Sequence, residues 1–352
     1  MKIVIVGAGI IGAAIFNELT EKYKNKVTIV EQGRAAELGA TSMSGGIIRC
    51  FDQSLERMKL AQYSLNQYRN FKNYGDAESV FVETGCVYPI HIKKDLEQLK
   101  SSIDQLRINV KLQFIDKSKL EELLPDTSWN DYQGAILEME AGYFCPKYAT
   151  QSLINYGLKK GGNLLEYTKC LQILHHENQI QGIRTQSENI EADLVILCGG
   201  AWSSQLALRS NINLPRSIRT KVIQMAKFNK GSHSNEKVPA FIDESTGLYG
   251  RATSFNQLMI GVPTSEWDID PDRFYQPNKD HFSKIFSTAR PIWKLSLSDS
   301  NEHICKFDAY TDDEEPIVQP SDMEGLYWAT GFSGGGFKFA PAIAKKISEL
   351  IN

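Results

Sequence analysis

Lys2 to Val6 is a β-branched run that enters Gly7-Ala8-Gly9-Ile10-Ile11-Gly12, and helical spacing follows through Ala13, Ala14, Phe16 and Leu19. In a strand, glycine turn and helix of this kind, Gly7 makes the tight turn and Gly9 leaves room for a pyrophosphate. Gly12 lets the helix pack on the strand. The helix N-terminus adds backbone N–H donors and a positive dipole end. A second run, Val27 to Val30, turns this opening into a βαβ unit, which requires a parallel sheet and a crossover. Glu31 ends that strand 19 residues beyond Gly12, where a carboxylate can accept ribose hydroxyls, with Gln32 beside it. The opening therefore predicts a dinucleotide site. FAD and NAD both satisfy it.

The remaining chain sets the context. At 352 residues it has room for roughly two domains of about 150. A hydrophobic share of 42% with 23% charged residues excludes a disordered or fibrous chain. The net charge of −3 removes the uniform basic field of non-specific nucleic-acid binding, so no nucleic-acid partner is expected. Six cysteines, without a CxxC pair or a His at zinc spacing, predict neither a disulfide framework nor a metal. Reduced thiols fit a cytoplasmic location. Glycines interrupt the N-terminal apolar stretch and no small-residue cleavage site follows Asn17-Glu18, so no export signal is read. No apolar run of about 18 residues predicts a transmembrane segment.

Periodicity predicts a helix from Leu55 to Phe71 that stops near Gly75. Between 79 and 140, the strand-like pieces VETGCVYPI and GAILEM alternate with polar helical pieces at 92–107 and 117–124. A helix from Lys147 to Lys159 ends at Gly161-Gly162, and strand-like runs at 163–173 and 179–185 lead to ADLVILCGG. Residues 216–311 are strand-rich, with polar breaks at 229–237 and 265–279 and one helix near 280–290; a helix over 338–350 follows. The expected fold is α/β with an inserted second domain. Residues 1–78, 141–215 and 312–352 would form the dinucleotide domain, and 79–140 with 216–311 the substrate domain.

Three segments favour FAD. Thr41-Ser42-Met43-Ser44-Gly45-Gly46-Ile47-Ile48-Arg49 brings small residues that let backbone lie against a flavin ring. Leu194 to Ser203 is a buried strand running into Cys198, Gly199, Gly200 and Trp202. Gly331 to Pro341 sets Gly334, Gly335 and Gly336 at the start of the last helix, followed by Phe337 and Lys338, where the dipole favours negative charge on the ring. In this order the segments resemble the D-amino-acid oxidase superfamily of FAD-dependent oxidoreductases, closest to its sarcosine oxidase, N-methyl amino acid oxidase and glycine oxidase branch. The resemblance covers essentially the whole chain. It implies a Rossmann-like FAD domain with a mixed-sheet substrate domain roofing the flavin. It also implies that Cys170 brackets the adenine through backbone groups and that Cys198 is a packing residue.

By the same resemblance Arg49 and Lys338 match the two cations that hold a substrate carboxylate. A structural ion pair for Arg49 and an exposed helix-start cation for Lys338 are the competing readings. Tyr249 and Arg251, in GLYGR, are further candidates for the cavity wall. The chain also departs from the family. Asp308 stands where covalently flavinylated members carry a Cys, so FAD is expected to be non-covalent, with Cys305 three residues upstream and Asp308 a candidate for a cationic substrate group. Met259 stands at the position of an O2-activating lysine, and Ser42 and Gly46 replace a basic flavin loop. No histidine falls in a motif. The implied function is oxidation of a C–N bond of an amino acid or N-methyl amino acid by hydride transfer to flavin N5, followed by imine hydrolysis, with O2 or another electron acceptor. An FAD-dependent 2-hydroxy acid dehydrogenase and a flavin-binding subunit of a larger oxidase or maturation complex are the alternatives, and a protein partner stays open.

Overall fold

A computed structural model describes residues 1–52, 54–71, 81–91, 110–229, 238–253 and 257–351. The helix expected over 92–107 and nearly all of the polar break at 229–237 lie outside them. A six-stranded sheet runs in the order Ile317–Pro320, Leu326–Thr330, Leu194–Leu197, Ile3–Val6, Val27–Val30, Asn163–Leu165. All its pairings are parallel except the edge hairpin of 317–320 with 326–330. The short apolar strands read as continuous runs because both faces are covered. Ile3 and Ile5 pack against the helices Ile10–Tyr23, Pro146–Lys159 and Gly336–Ile351. Val4 and Val6 face the other way, onto Ile173, Ile183 and Trp328.

An eight-stranded sheet lies over the first. Its order is Ser300–Thr311, Ile218–Asn229, Gln257–Gly261, Leu248–Ala252, Ala240–Asp243, Cys86–Ile90, Gly134–Glu138, Leu112–Ile115. Its pairings are antiparallel apart from 240–243 with 86–90. The helix Lys279–Trp293 covers its far face through Ile285, Ala289 and Trp293, which pack on Phe228 and Phe241.

Several expected strands are broken at points that matter for the site. VETGCVYPI divides at Gly85, whose φ of +81° turns the chain. Val82–Glu83 then pairs with Gly142–Tyr143 in a small sheet that also holds Ile47–Ile48. The run 163–173 divides around Tyr167, at φ +53°, so that 168–170 reach a cavity. The helix expected to stop near Gly75 ends at Arg69. The last helix begins at Gly336, which puts Lys338 inside its first turn.

Close approach fixes the helix layer. Gly157 and Gly162 sit on the Phe16 ring, with a Cβ at either position 2.5 Å from a ring carbon. Phe16 is fully buried, so it cannot yield. Gly157→Val is therefore expected to destabilise the protein by about 1–3 kcal/mol through overpacking, read as a lower denaturant midpoint with an unchanged m-value.

Candidate active site

A cavity of about 650 Å³ opens between the two sheets, at the carboxyl ends of the parallel strands. Gly7 there has φ +104°, and a Cβ would meet the Cys198 carbonyl oxygen at 2.5 Å. A Cβ on Gly12 would lie 1.9 Å from the Gly7 carbonyl oxygen, so helix and turn are in contact. Gly9 caps the helix without a side-chain bond, and Ile10 N–H donates to Thr41 Oγ1 at 3.0 Å. The first-turn amides of Ile11 and Gly12 have no carbonyl within the helix. Glu31 is tethered to the same turn, accepting from Ala8 N–H at 2.8 Å and Gly33 N–H at 3.2 Å. Burial raises its carboxyl pKa against those backbone bonds.

The lining continues through Gln32, Thr41, Met43, Gly45, Gly46 and Ile47 on one side. Cys170, Cys198, Gly199, Gly200 and Trp202 line another stretch, and Gly334, Gly335, Gly336 and Phe337 a third. Gly200 has φ +50° and nothing within 4 Å of where a Cβ would stand, so bare backbone faces the space. Burial pushes the Cys170 thiol up to about 12 and the Cys198 thiol higher still, which leaves neither as a thiolate nucleophile. A long cavity with backbone donors at a helix start and bare glycine walls fits an extended dinucleotide such as FAD.

At the other end, positive charge gathers. Arg49, Arg57 and Lys338 all line the cavity. Lys338 Nζ is 2.7 Å from Asp52 Oδ2, and Arg57 Nε is 3.3 Å from Asp52 Oδ1. Arg49 donates through NH1 to the Phe51 carbonyl and lies 5.8 Å from the Tyr88 ring centre. Behind them the Glu138 carboxylate accepts from Cys50 N–H at 2.6 Å, Phe51 N–H at 3.0 Å and the Tyr88 hydroxyl at 2.9 Å. Within this group three cations stand against the carboxylates of Asp52 and Glu138, with Glu315 4.0 Å from Arg57 as a third. Burial, then Arg49, pushes the Lys338 ammonium down to about 7 against the pull of Asp52. Burial raises the Asp52 carboxyl, but Lys338, Arg57 and Arg49 together hold it below its usual value.

Lys338 is therefore neither exposed nor a solitary cation. Asp52, Arg57 and Glu138 were missed from sequence. The available signal was an acid three residues after Arg49 and a Glu closing the apolar strand Gly134–Glu138.

Three candidates stand off the cavity. Arg251 shares a strand face with Tyr249, yet its guanidinium turns away to the Gly45 carbonyl and over the Tyr143 ring at 4.2 Å. It props the 45–46 turn that lines the space, whereas Tyr249 itself reaches the wall. Gly12 is covered by the Gly7 carbonyl, and the Ser42 hydroxyl bonds back to the Gly39 carbonyl at 2.9 Å. Asp308 does line the cavity, where it accepts from Ala309 N–H at 2.8 Å and Gly334 N–H at 3.1 Å. Burial pushes its carboxyl up to about 6. Cys305 points to the Tyr275 carbonyl, at 3.8 Å. Met259 is buried with Met225 and Ile304. Among the described residues no group of His, Cys, Asp and Glu is arranged to hold a metal, and no helix is long and apolar enough to cross a membrane.

A glycine-turn dinucleotide cradle under a large mixed sheet is the architecture of a two-layer flavoenzyme. The chain matches the family of FAD dependent oxidoreductases over residues 2–350 and belongs to it. It is 23% identical over 365 residues to 4-methylaminobutanoate oxidase (formaldehyde-forming) of Paenarthrobacter nicotinovorans, covering 100% of this chain and 43% of that protein. It is 25% identical over 366 residues to the mitochondrial pyruvate dehydrogenase phosphatase regulatory subunit of Mus musculus, covering 99% and 41%. The chain thus spans about two fifths of the length of these relatives. In fold it is similar to L-proline dehydrogenase from P. horikoshii, with a TM-score of 0.91 at 22% identity over 100% of this chain and 93% of that one.

Glu138 is expected to hold the cation group in place. Glu138→Gln sets an amide NH2 against backbone donors and leaves at least one unpaired, at a cost of about 1–3 kcal/mol. Its denaturant midpoint is expected to fall, with the loss confined to this buried network.

Proposed function

We propose that this FAD-dependent oxidoreductase oxidises the C–N bond of a secondary or primary amino acid that carries one carboxylate. The observation that carries the reading is the cluster of three cations, Arg49, Arg57 and Lys338, that line one end of the cavity while the carboxylates of Asp52 and Glu138 stand outside the lining. A substrate carboxylate is the group such a wall binds. The similarity to an oxidase of 4-methylaminobutanoate and the fold of an L-proline dehydrogenase support the same substrate chemistry, since both named compounds are secondary amines with a carboxylate.

FAD, held non-covalently, would be cradled by Gly7, Gly9, Ile10, Ile11, Glu31, Gln32 and Thr41, by Cys170 and 198–202, and by 334–338, with Gly12 packing the helix on the turn beneath. The first domain would comprise 1–78, 141–215 and 312–352, and the substrate domain 79–140 and 216–311. When bound, the cofactor supplies a two-electron acceptor. Arg49 retains guanidinium donors beyond the one spent on the Phe51 carbonyl, and these grip the carboxylate in fork geometry. Lys338 adds a second contact from the helix start. Ile47, Met43, Met225, Ile242 and Tyr249 form an apolar wall that favours the neutral amine, the form able to give up a hydride. The C–N bond becomes an imine, which water cleaves to a carbonyl compound and an amine. O2 or another acceptor takes the electrons onward, and buried Met259 offers no charge toward either.

A second reading, a flavin-binding subunit that acts only with a partner, is favoured by the similarity to a regulatory subunit. Anaerobic mixing of the pure protein with amino acids, N-methyl amino acids and 2-hydroxy acids separates the readings. Bleaching by an amine supports the proposal, bleaching by hydroxy acids alone overturns it, and bleaching by none moves the reading to the subunit. For the best amine, Arg49→Ala is expected to lower kcat/KM by about 10- to 100-fold, the worth of one charge-assisted hydrogen bond, with Arg49→Lys in between.

A further inference from the structure

We propose that Asp52 is a positioning residue for substrate capture: it holds the Lys338 side chain at the cavity wall and keeps it an ammonium, and so sets the upper pH limit for binding a carboxylate. The identity of the captured group rests on the amino acid reading above. The role of Asp52 toward Lys338 does not.

Geometry carries the inference. Lys338 Nζ and Asp52 Oδ2 are 2.7 Å apart, with side chains 5% and 9% exposed. Lys338 lines the cavity, whereas Asp52 stands behind it and is not part of the lining. Asp52 therefore reaches a substrate only through the cations it holds, Lys338 and, more loosely, Arg57. The charged and titratable groups around the ammonium come from every neighbouring element. Arg49, Cys50 and Asp52 belong to the segment after the strand Ile47–Ile48, Arg57 to the helix Leu55–Arg69, and Cys86 to the strand Cys86–Ile90. Glu138 and Tyr88 stand behind Cys50 and Phe51, and Glu315 touches Arg57 at 4.0 Å. Asp52 is the only anion within contact of Lys338 Nζ among the described residues. Without it a buried ammonium would face two guanidiniums, the arrangement in which a lysine sheds its proton.

Position supports the same conclusion. Asp52 is itself aimed by its neighbours: Glu138 takes the amides of Cys50 and Phe51, and Arg57 meets the second Asp52 oxygen at 3.3 Å. The carboxylate thus comes to Lys338 as a fixed group. Even with Asp52 in place the ammonium titrates near 7, inside the working range of an enzyme. The protonated form is the one that attracts an anion. Carboxylate affinity therefore falls as pH rises through the Lys338 value.

Two measurements on the flavin-loaded protein test this. The first follows the Lys338 side-chain resonance against pH in protein labelled with lysine carrying carbon-13 at Cε, assigned by its loss in Lys338→Arg. Asp52→Asn is expected to lower the midpoint by about one pH unit or more, Asp52→Glu to restore it, and Arg57→Gln, which removes a neighbouring cation, to raise it. The second measures the dissociation constant of pyrrole-2-carboxylate, an unreactive carboxylate, from flavin absorbance across pH, and its break is expected to move with the resonance. An unchanged midpoint in both Asp52→Asn and Arg57→Gln overturns the role of Asp52, whatever the substrate. A midpoint that moves while carboxylate affinity stays put overturns the capture role, and absence of carboxylate binding at every pH overturns the amino acid reading as well.

Discussion

Glu138 is the polar joint on which the reactive end of the molecule depends. Its carboxylate closes a strand of the upper sheet, and its three donors come from Cys50, Phe51 and Tyr88. Those two amides belong to the segment that carries Arg49 on one side and Asp52 on the other. Asp52 in turn meets Lys338, on the helix that packs under the lower sheet. A buried carboxylate is stable here because each donor that needs an acceptor finds one, and the donors would be orphaned without it. Sheet, loop and helix are thereby fixed relative to one another by polar contacts in a region where apolar packing alone would leave their angle free.

The dinucleotide end works on the opposite principle. There the wall is made by what is absent: Cβ atoms at Gly7 and Gly12 would strike backbone, and at Gly200 a missing side chain leaves the wall bare. Side chains such as Thr41 and Glu31 serve the turn itself by pairing with Ile10 and Ala8 amides. The cavity thus joins a cradle made largely of backbone to an end made of charged side chains.

Much of the cradle was legible in the sequence, because a strand, a glycine turn and a helix are local and each glycine has a steric reason. Four strands of the six-stranded sheet were legible as apolar runs, at 2–6, 27–30, 163–173 and from 194, and the last helix from its spacing, whereas the edge hairpin of 317–320 with 326–330 was not. The charged end was legible only in half. Arg49 and Lys338 were read through resemblance, but their partners are set by contacts across 286 and 88 positions of chain, Lys338 with Asp52 and Cys50 with Glu138. No periodicity reports such distances. Arg251 shows the complementary difficulty: strand alternation correctly gave it the face of Tyr249, but a long side chain chose the Gly45 carbonyl over the cavity. The strand breaks at Gly85 and Tyr167 were hidden for the same reason, since what pulls the chain aside there is pairing with distant segments.

The order of strands in the lower sheet has a consequence for how the protein comes into being. Ile3–Val6 is made first, yet its neighbour Leu194–Leu197 lies nearly two hundred positions later, and the next strand, Leu326–Thr330, later still. The βαβ unit at the start can gather early with two exposed edges; Asn163–Leu165 covers one, and the other awaits Leu194–Leu197, which three of the eight upper-sheet strands precede. The cradle therefore closes only once residues 334–338 are made, and Lys338 arrives after its other walls are drawn. Folding of this chain is a problem of waiting: Ile3–Val6 stays unfinished until Leu194–Leu197 is available, a topology that favours slow assembly and exposure to helpers along the way.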